Sequence, residues 1–337
     1  MKRTSLEETL KKTGIMVIDG SMSTALEEMG CQLSDNLWTA KILANEPEKI
    51  RQVHYNYFCA GADCGITASY QATIPGFMSR GYSRQEAEAL IAKAVELFLE
   101  ARSLWWEAEG RDAGRAYPMC LGAVGPYGAY LADGSEYRGN YGVSDETLRE
   151  FHRRRMEILW ESGADMLLIE TQPSLNEALI AAGIAEELGA DYWISFSCKD
   201  ETHICEGDEI RTCAEILSKG YPHLKMIGVN CTTPMYISSL LGELKSVTDI
   251  PVGLYPNSGD AYDPKSKTWT PTPQGISLSR LALRWMAQGA NAVGGCCTTV
   301  ASHIREITAG RDLMIQNTPK QISALYSGNS QKSERYP

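Results

Sequence analysis

Three cysteines sit where two strand-like runs end: Cys231 closes Met226-Ile227-Gly228-Val229-Asn230, while Cys296 and Cys297 follow Ala292-Val293-Gly294-Gly295. Thiolates are soft ligands suited to Zn²⁺, and three protein ligands leave a fourth tetrahedral position for a substrate. Neighbouring side chains on a regular strand point to opposite faces, so Cys296 and Cys297 can serve one ion only if the backbone leaves strand geometry. Gly294 and Gly295 are expected to supply that conformational freedom. Two acids close other apolar runs in the same way, Asp19 after Ile15 to Ile18 and Glu170 after Met166 to Ile169. Spacing alone leaves space-filling thiols or a vicinal disulfide equally open, because the three cysteines include no C-x₂-C pair.

The elements that must position these residues alternate in type. Eight short apolar or β-branched runs are predicted as strands: Ile15 to Asp19, Asp63 to Ala68, Met119 to Val124, Met166 to Glu170, Tyr192 to Ser197, Met226 to Asn230, Val252 to Tyr255 and Ala292 to Gly295. Amphipathic stretches lie between them, among them Arg84 to Glu107, Ser144 to Ser162, Ser174 to Leu188 and Gln274 to Gln288. Eight such βα units predict an α/β fold, a closed (β/α)₈ TIM-type barrel with the cysteine site at the carboxyl ends of its strands. A doubly wound open sheet is the alternative, but Asp19-Gly20-Ser21-Met22-Ser23 is not the G-x-G-x-x-G loop such a sheet usually carries. The pairs Gly61-Ala62, Gly163-Ala164, Gly189-Ala190 and Gly289-Ala290 each precede a predicted strand and read as tight helix-to-strand turns. Two long linkers, Gly125 to Tyr141 and Pro256 to Pro273, follow the third and seventh strands and are expected to cover the site. One domain over 1–312 is expected, with 313–337 as a peripheral helix fragment and flexible tail.

Composition narrows the partners. The 337 residues are 43% apolar and carry a net charge of −10, enough for a full core and unfavourable for nucleic acid or an anionic membrane. A cationic small molecule suits that balance better. Met1 to Glu8 lack the apolar run of a signal peptide, and no stretch approaches the ~20 apolar residues of a membrane span. A cytoplasmic location is therefore expected, with the ten cysteines reduced rather than paired. Cys59, Cys64, Cys120 and Cys213 read as small packing hydrophobes. Arg153-Arg154-Arg155 reads as a solvated helix face. The five histidines show no metal-binding pairing and read as structural.

The surroundings of the cysteines carry a resemblance. Asp19-Gly20, Thr67-Ala68-Ser69-Tyr70-Gln71-Ala72-Thr73, the block from Gly122 to Tyr137, Ile169-Glu170-Thr171, Gly228-Val229-Asn230-Cys231, Tyr255-Pro256-Asn257-Ser258-Gly259 and Gly294-Gly295-Cys296-Cys297 occur in order. Together they resemble homocysteine S-methyltransferases over residues 14 to about 308, and within them the branch that uses S-methylmethionine, with S-adenosylmethionine as the poorer donor. The resemblance implies Zn²⁺ on Cys231, Cys296 and Cys297, activating the thiol of L-homocysteine for methyl transfer that yields methionine. It implies Asp19 and Glu170 on the homocysteine ammonium, the amides after Gly20 on its carboxylate, and Ser21, Ser69, Tyr70, Asn230 and Tyr255 in the substrate site. Trp38, Tyr70, Tyr127, Tyr130 and Tyr255 are aromatic candidates for facing a sulfonium. Read without the resemblance, Asp19 is an ordinary helix N-cap and Glu170 a surface acid.

Two positions depart from the family pattern: Ser21, where a glycine or alanine is common, and Cys205-Glu206-Gly207-Asp208. The Ser21 side chain would either crowd the pocket or bind the substrate carboxylate. A thiol redox or zinc-storage barrel and a non-catalytic amino-acid sensor are the competing functions, and a monomer or small homo-oligomer is expected.

Overall fold

The computed structural model describes residues 3–33, 39–259, 261–263, 268–270 and 277–317. Its strands are β1 (Met16–Val17), β2 (Cys64–Ile66), β3 (Met119–Val124), β4 (Met166–Gln172), β5 (Tyr192–Phe196), β6 (Leu224–Asn230), β7 (Val252–Tyr255), β8 (Ala261–Asp263), β9 (Thr268–Thr270) and β10 (Ala292–Val293). Eight of them pair in parallel in the order β1-β10-β7-β6-β5-β4-β3-β2. A parallel bridge from Ile18 to Cys64 joins the two ends. The sheet is therefore a barrel, and the open doubly wound alternative is excluded. All eight expected strands are present, with β1, β2 and β10 shorter than predicted because their outer residues leave the ladder. The remaining pair, β8 and β9, forms an antiparallel hairpin within the linker after β7; residues 260, 264–267 and 271–276 of that stretch lie outside the described residues.

Local sequence signals account for the helix boundaries. Ser83, Ser144, Ser174 and Ser277 each accept a first-turn amide and so cap Arg84–Trp105, Asp145–Glu161, Leu175–Leu188 and Leu278–Ala287. Gly61, Gly163, Gly189 and Gly289 all have positive φ, between 60° and 104° for the last three and 111° for Gly61. Each ends a helix where a side chain would be strained, and the following alanine is buried.

Alternation along the strands separates two apolar regions. Met16, Ile18, Cys64, Met119, Leu121, Met166, Leu168, Trp193, Met226 and Tyr255 pack inside the barrel. Val17, Cys120, Leu167, Ile169, Ile227 and Val229 face the helices. The helix Leu6–Thr13 adds Leu6 and Leu10, one turn apart, to the interior cluster. Buried ion pairs gather at the amino ends of the strands. Asp63, just before β2, accepts the Val17 amide at 2.8 Å and pairs with Arg311 and Arg115. Asp165, just before β4, accepts the Thr4 and Cys120 amides at 2.8 Å each and pairs with Arg102. Removing one partner of such a pair typically costs about 3–5 kcal/mol, so this end of the barrel is committed to stability.

Arg311 lies on the last helix, Ala301–Asn317, which runs across the boundary expected after residue 312; residues 318–337 lie outside the described residues. Two sequence expectations need correction. Cys59 is exposed beside Glu109 rather than packed. Arg153 and Arg154 do sit on a salt-bridged outer face, but Arg155 is buried, because a 3.6-residue period turns every third or fourth position of that helix inward. Among the described residues no helix is long and apolar enough to cross a membrane.

Candidate functional site

The carboxyl ends of the strands bring the chemistry-bearing residues to one mouth. Glu170 lies within β4, Cys231 follows β6, Tyr255 ends β7, and Cys296 and Cys297 lie three and four residues beyond β10. The Sγ atoms of Cys231 and Cys297 are 3.6 Å apart, those of Cys296 and Cys297 4.0 Å, and all three lie within 4.8 Å of one another. A tetrahedral ion with bonds of about 2.3 Å needs sulfurs roughly 3.8 Å apart. The two measured separations bracket that value, so the three thiols could hold a metal such as zinc, and three protein ligands would leave a tetrahedral ion one position for a ligand from the pocket. All ten cysteines are free thiols.

How the backbone achieves this differs from expectation. Neither Gly294 nor Gly295 has a left-handed φ; next to the sulfurs it is Cys231 itself (φ 48°) and Thr298, which follows Cys297 (φ 61°), that do. The glycines are needed for space. A Cβ on Gly294 would stand 2.6 Å from Ile18 Cβ, and one on Gly295 2.5 Å from Thr299 Oγ1. Beyond them the chain is pinned by hydrogen bonds from the Cys296 amide to the Pro256 carbonyl (2.7 Å) and from the Ser258 amide to the Cys297 carbonyl (3.1 Å). The seventh linker therefore clamps the cysteine turn.

A cavity of about 140 Å³ opens beside the sulfurs, lined by Gly20 to Ser23, Ile66 to Ala68, Tyr70, Gln71, Glu136, Tyr137, Glu170, Thr171, Tyr255 and the three cysteines. None of these residues is basic, whereas two are acidic. Glu170 accepts the Tyr255 hydroxyl at 3.1 Å. Burial, then the charge of Cys296, pushes its pKa well above the usual carboxylate range. Asp19 lies just beneath the lining, almost fully buried; its Oδ2 accepts the Ile66 amide at 3.0 Å, while its Oδ1 has no partner among the described residues. Burial raises its pKa as well. The thiols share their protons: hydrogen bonds from Cys231 and Cys297 pull Cys296 well below the ordinary thiol range, and the contacts with Cys296 and Cys297 push Cys231 up. Such a concentration of buried negative potential calls for cations.

The remaining sequence candidates divide by where their side chains go. Ser21, not Asp19, is the N-cap of Met22–Glu28, accepting the Thr24 amide at 3.1 Å. Its hydroxyl therefore already has a structural partner. Gly20 and the Ser21 to Ser23 segment line the cavity. Ser69 does not: its hydroxyl donates to the Ala123 carbonyl at 2.8 Å and meets Thr67 Oγ1 at 2.8 Å, fastening this segment to β3. Asn230 is likewise buried behind the lining. It accepts the Thr171 amide at 2.9 Å and donates to Thr171 Oγ1 at 2.7 Å, holding Thr171 at φ 55°, a strained region for a β-branched residue. Of the aromatic candidates, Tyr70 and Tyr255 line the cavity. Tyr127 and Tyr130 instead stack with Phe151 outside it, and Trp38 lies outside the described residues.

Two features escaped the sequence reading. The Tyr137 hydroxyl stands 3.1 Å from Cys231 Sγ, and Glu206, in the segment that departs from the family pattern, accepts the Asn140 amide at 2.6 Å. The block from Gly122 to Tyr137 was a visible signal; which of its several tyrosines reaches the sulfur depends on how the loop folds back.

Comparison with known proteins agrees with this geometry. The homocysteine S-methyltransferase family model matches residues 16–310. Homocysteine S-methyltransferase YbgG of Bacillus subtilis is 48% identical over 305 residues, covering 90% of this chain and 96% of that protein. The homocysteine S-methyltransferase of Escherichia coli is 44% identical over 308 residues, covering 90% and 97%. The crystal structure of the homocysteine methyltransferase MmuM from Escherichia coli in its metallated form superposes with a TM-score of 0.81 at 40% identity, covering 90% of this chain and 99% of that one. With a family match over nearly the whole barrel and relatives this similar, the chain belongs to the homocysteine S-methyltransferase family.

Proposed function

We propose that this enzyme transfers a methyl group from S-methylmethionine to L-homocysteine, with S-adenosylmethionine as the weaker donor, at a Zn²⁺ held by Cys231, Cys296 and Cys297. The observation that carries the proposal is a three-sulfur triangle opening into a cavity whose lining, among the described residues, has acids and no basic residue. Bound there, the ion would favour the thiolate form of an acceptor whose free thiol pKa is about 8.5. Glu170 and Asp19 bind the homocysteine ammonium, which supplies the cation these buried carboxyls lack. The main-chain amides of Met22 and Ser23 receive the carboxylate, the Ser21 amide being donated to the Thr299 carbonyl. Tyr70 and Tyr255 present aromatic surface to the sulfonium, an attraction of about 0.5–2 kcal/mol per ring.

The acceptor sulfur attacks the donor methyl carbon, and the bond from that carbon to the donor sulfur breaks with its electron pair returning to that sulfur. A thiolate and a sulfonium become two neutral thioethers, and the acceptor's thiol proton leaves to solvent. Two charges are lost, so a pocket that excludes water favours the reaction. No general acid is required, because the departing sulfur leaves as a neutral thioether.

The test is methionine formation from homocysteine by reduced protein, with S-methylmethionine, S-adenosylmethionine and betaine offered separately and zinc measured in the same sample. Two methionines per S-methylmethionine consumed, with about one zinc per chain, is the expected result. Zinc retained without transfer from any donor would favour the storage, redox or sensor readings instead.

A further inference from the structure

Both ends of the loop from Gly125 to Tyr141 are tied to one buried polar cluster. Glu177, buried on the helix Leu175–Leu188, accepts the Tyr127 amide at 2.6 Å and the Tyr141 hydroxyl at 3.0 Å. It also meets His152 Nε2 at 2.8 Å. On the far side of that ring, Arg155 donates to His152 Nδ1 at 2.9 Å and to the Gly125 carbonyl. Burial lowers the His152 pKa, so the ring is neutral; with Nδ1 accepting from a guanidinium, its one proton sits on Nε2 and is donated to Glu177. Glu177 thus gathers three donors, and Arg155 reaches both His152 and the Gly125 carbonyl through Nη2, its Nε and Nη1 having no partner among the described residues.

The middle of the loop is also held. Ser197 donates to the Glu136 carbonyl at 3.3 Å, and the Asn140 amide donates to Glu206. What these anchors deliver to the site is Tyr137, at the end of the short turn Ser135–Tyr137, half-buried with its hydroxyl 3.1 Å from Cys231 Sγ. Cys231 needs such a contact more than an ordinary strand residue does. Its left-handed backbone removes the strand geometry that would otherwise aim its side chain.

We propose that Tyr137 is a positioning residue for the metal ligand Cys231, its hydroxyl donating a hydrogen bond to that sulfur, and that the Glu177, His152 and Arg155 cluster holds the loop where this contact forms. The inference rests on the metal reading above. An O–H donor beside a coordinated thiolate orients the sulfur and draws off part of its charge, and loss of comparable outer partners typically costs 10–100-fold in metal affinity or activity. A tyrosine that merely packed would leave the electronic environment of the sulfur unchanged when its hydroxyl was removed.

The experiment uses reduced, metal-free full-length protein titrated with Co²⁺ and with Zn²⁺ against a chromophoric chelator, with thermal unfolding of each variant as the folding control. Tyr137→Phe is expected to weaken metal affinity by about 10–100-fold and to shift the sulfur-to-cobalt charge-transfer band. Tyr141→Phe, which removes one anchor and touches neither sulfur nor cavity, is expected to weaken affinity by a smaller factor in the wild-type background and by none in the Tyr137→Phe background. Wild-type affinity and an unchanged band in folded Tyr137→Phe would overturn the proposal. If that variant does not fold, unchanged affinity and band in Tyr141→Phe would overturn it instead. Absence of metal binding by the wild-type protein would overturn the metal reading itself, a result distinct from either.

Discussion

Replacing Glu170 by Gln should stabilise the metal-free enzyme while impairing its use of homocysteine. Glu170 is buried, its carboxyl accepts the Tyr255 hydroxyl at 3.1 Å, and among the described residues the cavity lining has no basic side chain. Its folded-state pKa lies well above 4.5 because of burial and the nearby Cys296 charge. The folded protein therefore holds this proton at pH values where the unfolded chain has released it. Folding takes up a proton, and stability must fall as pH rises from about 4.5 towards the folded-state pKa. The slope from this one group approaches about 1.4 kcal/mol per pH unit across that window. With an unfolding entropy of about 2.1 cal/mol/K per residue, each kcal/mol corresponds to roughly 1.5 °C in Tm for a chain of this size.

Gln keeps the shape and an acceptor for Tyr255 but has no charge to bury. Tm of the variant should thus exceed that of the wild type by an amount that grows as pH rises from about 4.5 towards the folded-state pKa of Glu170. Against this, a charge-assisted hydrogen bond to the substrate ammonium is worth about 1.5–3 kcal/mol, so KM for homocysteine should rise by about 10- to 150-fold. The assays are thermal unfolding of metal-free protein across that pH range and initial rates against homocysteine at fixed donor. A Tm difference that does not grow with pH would refute the electrostatic argument. An unchanged KM would refute the assignment of Glu170 to the ammonium.

Other perturbations probe other parts of the site. Cys297→Ser should remove both metal binding and methyl transfer, since two sulfurs no longer define the site; transfer by zinc-free variant protein would exclude the proposed role of the metal. Gly294→Ala places a methyl 2.6 Å from Ile18 Cβ, an overpacking that typically costs about 1–3 kcal/mol, and the resulting shift of β10 against β1 should appear as both a lower denaturation midpoint and weaker metal retention. Asn230→Ala removes two hydrogen bonds to Thr171; it should cost about 1–3 kcal/mol of stability, measured by chemical denaturation, and raise KM for homocysteine by loosening the residue next to Glu170.

Much of the fold was legible because its signals are local. Eight β-branched or apolar runs, serines ahead of amphipathic stretches and the glycine-alanine pairs each report on a few neighbouring residues, and the barrel follows from their number and alternation. The site was legible in outline for a related reason: Asp19, Glu170, Cys231 and the Cys296 and Cys297 pair each lie at or just beyond the end of an apolar run, and a parallel barrel sends all such ends to one face.

The sequence by itself therefore determined the architecture and which residue types meet at the mouth. Only the tertiary structure decided their duties. Gly294 is required by the approach of Ile18 from β1, Arg155 is buried by a carbonyl 30 residues away, and the Ser69 hydroxyl is consumed by the Ala123 carbonyl. Tyr137 reaches a sulfur 94 residues further along the chain. These contacts arise from the closure of the barrel and the folding back of its loops, and the distance and direction between two side chains brought together that way are properties of the packed molecule, which no local pattern encodes.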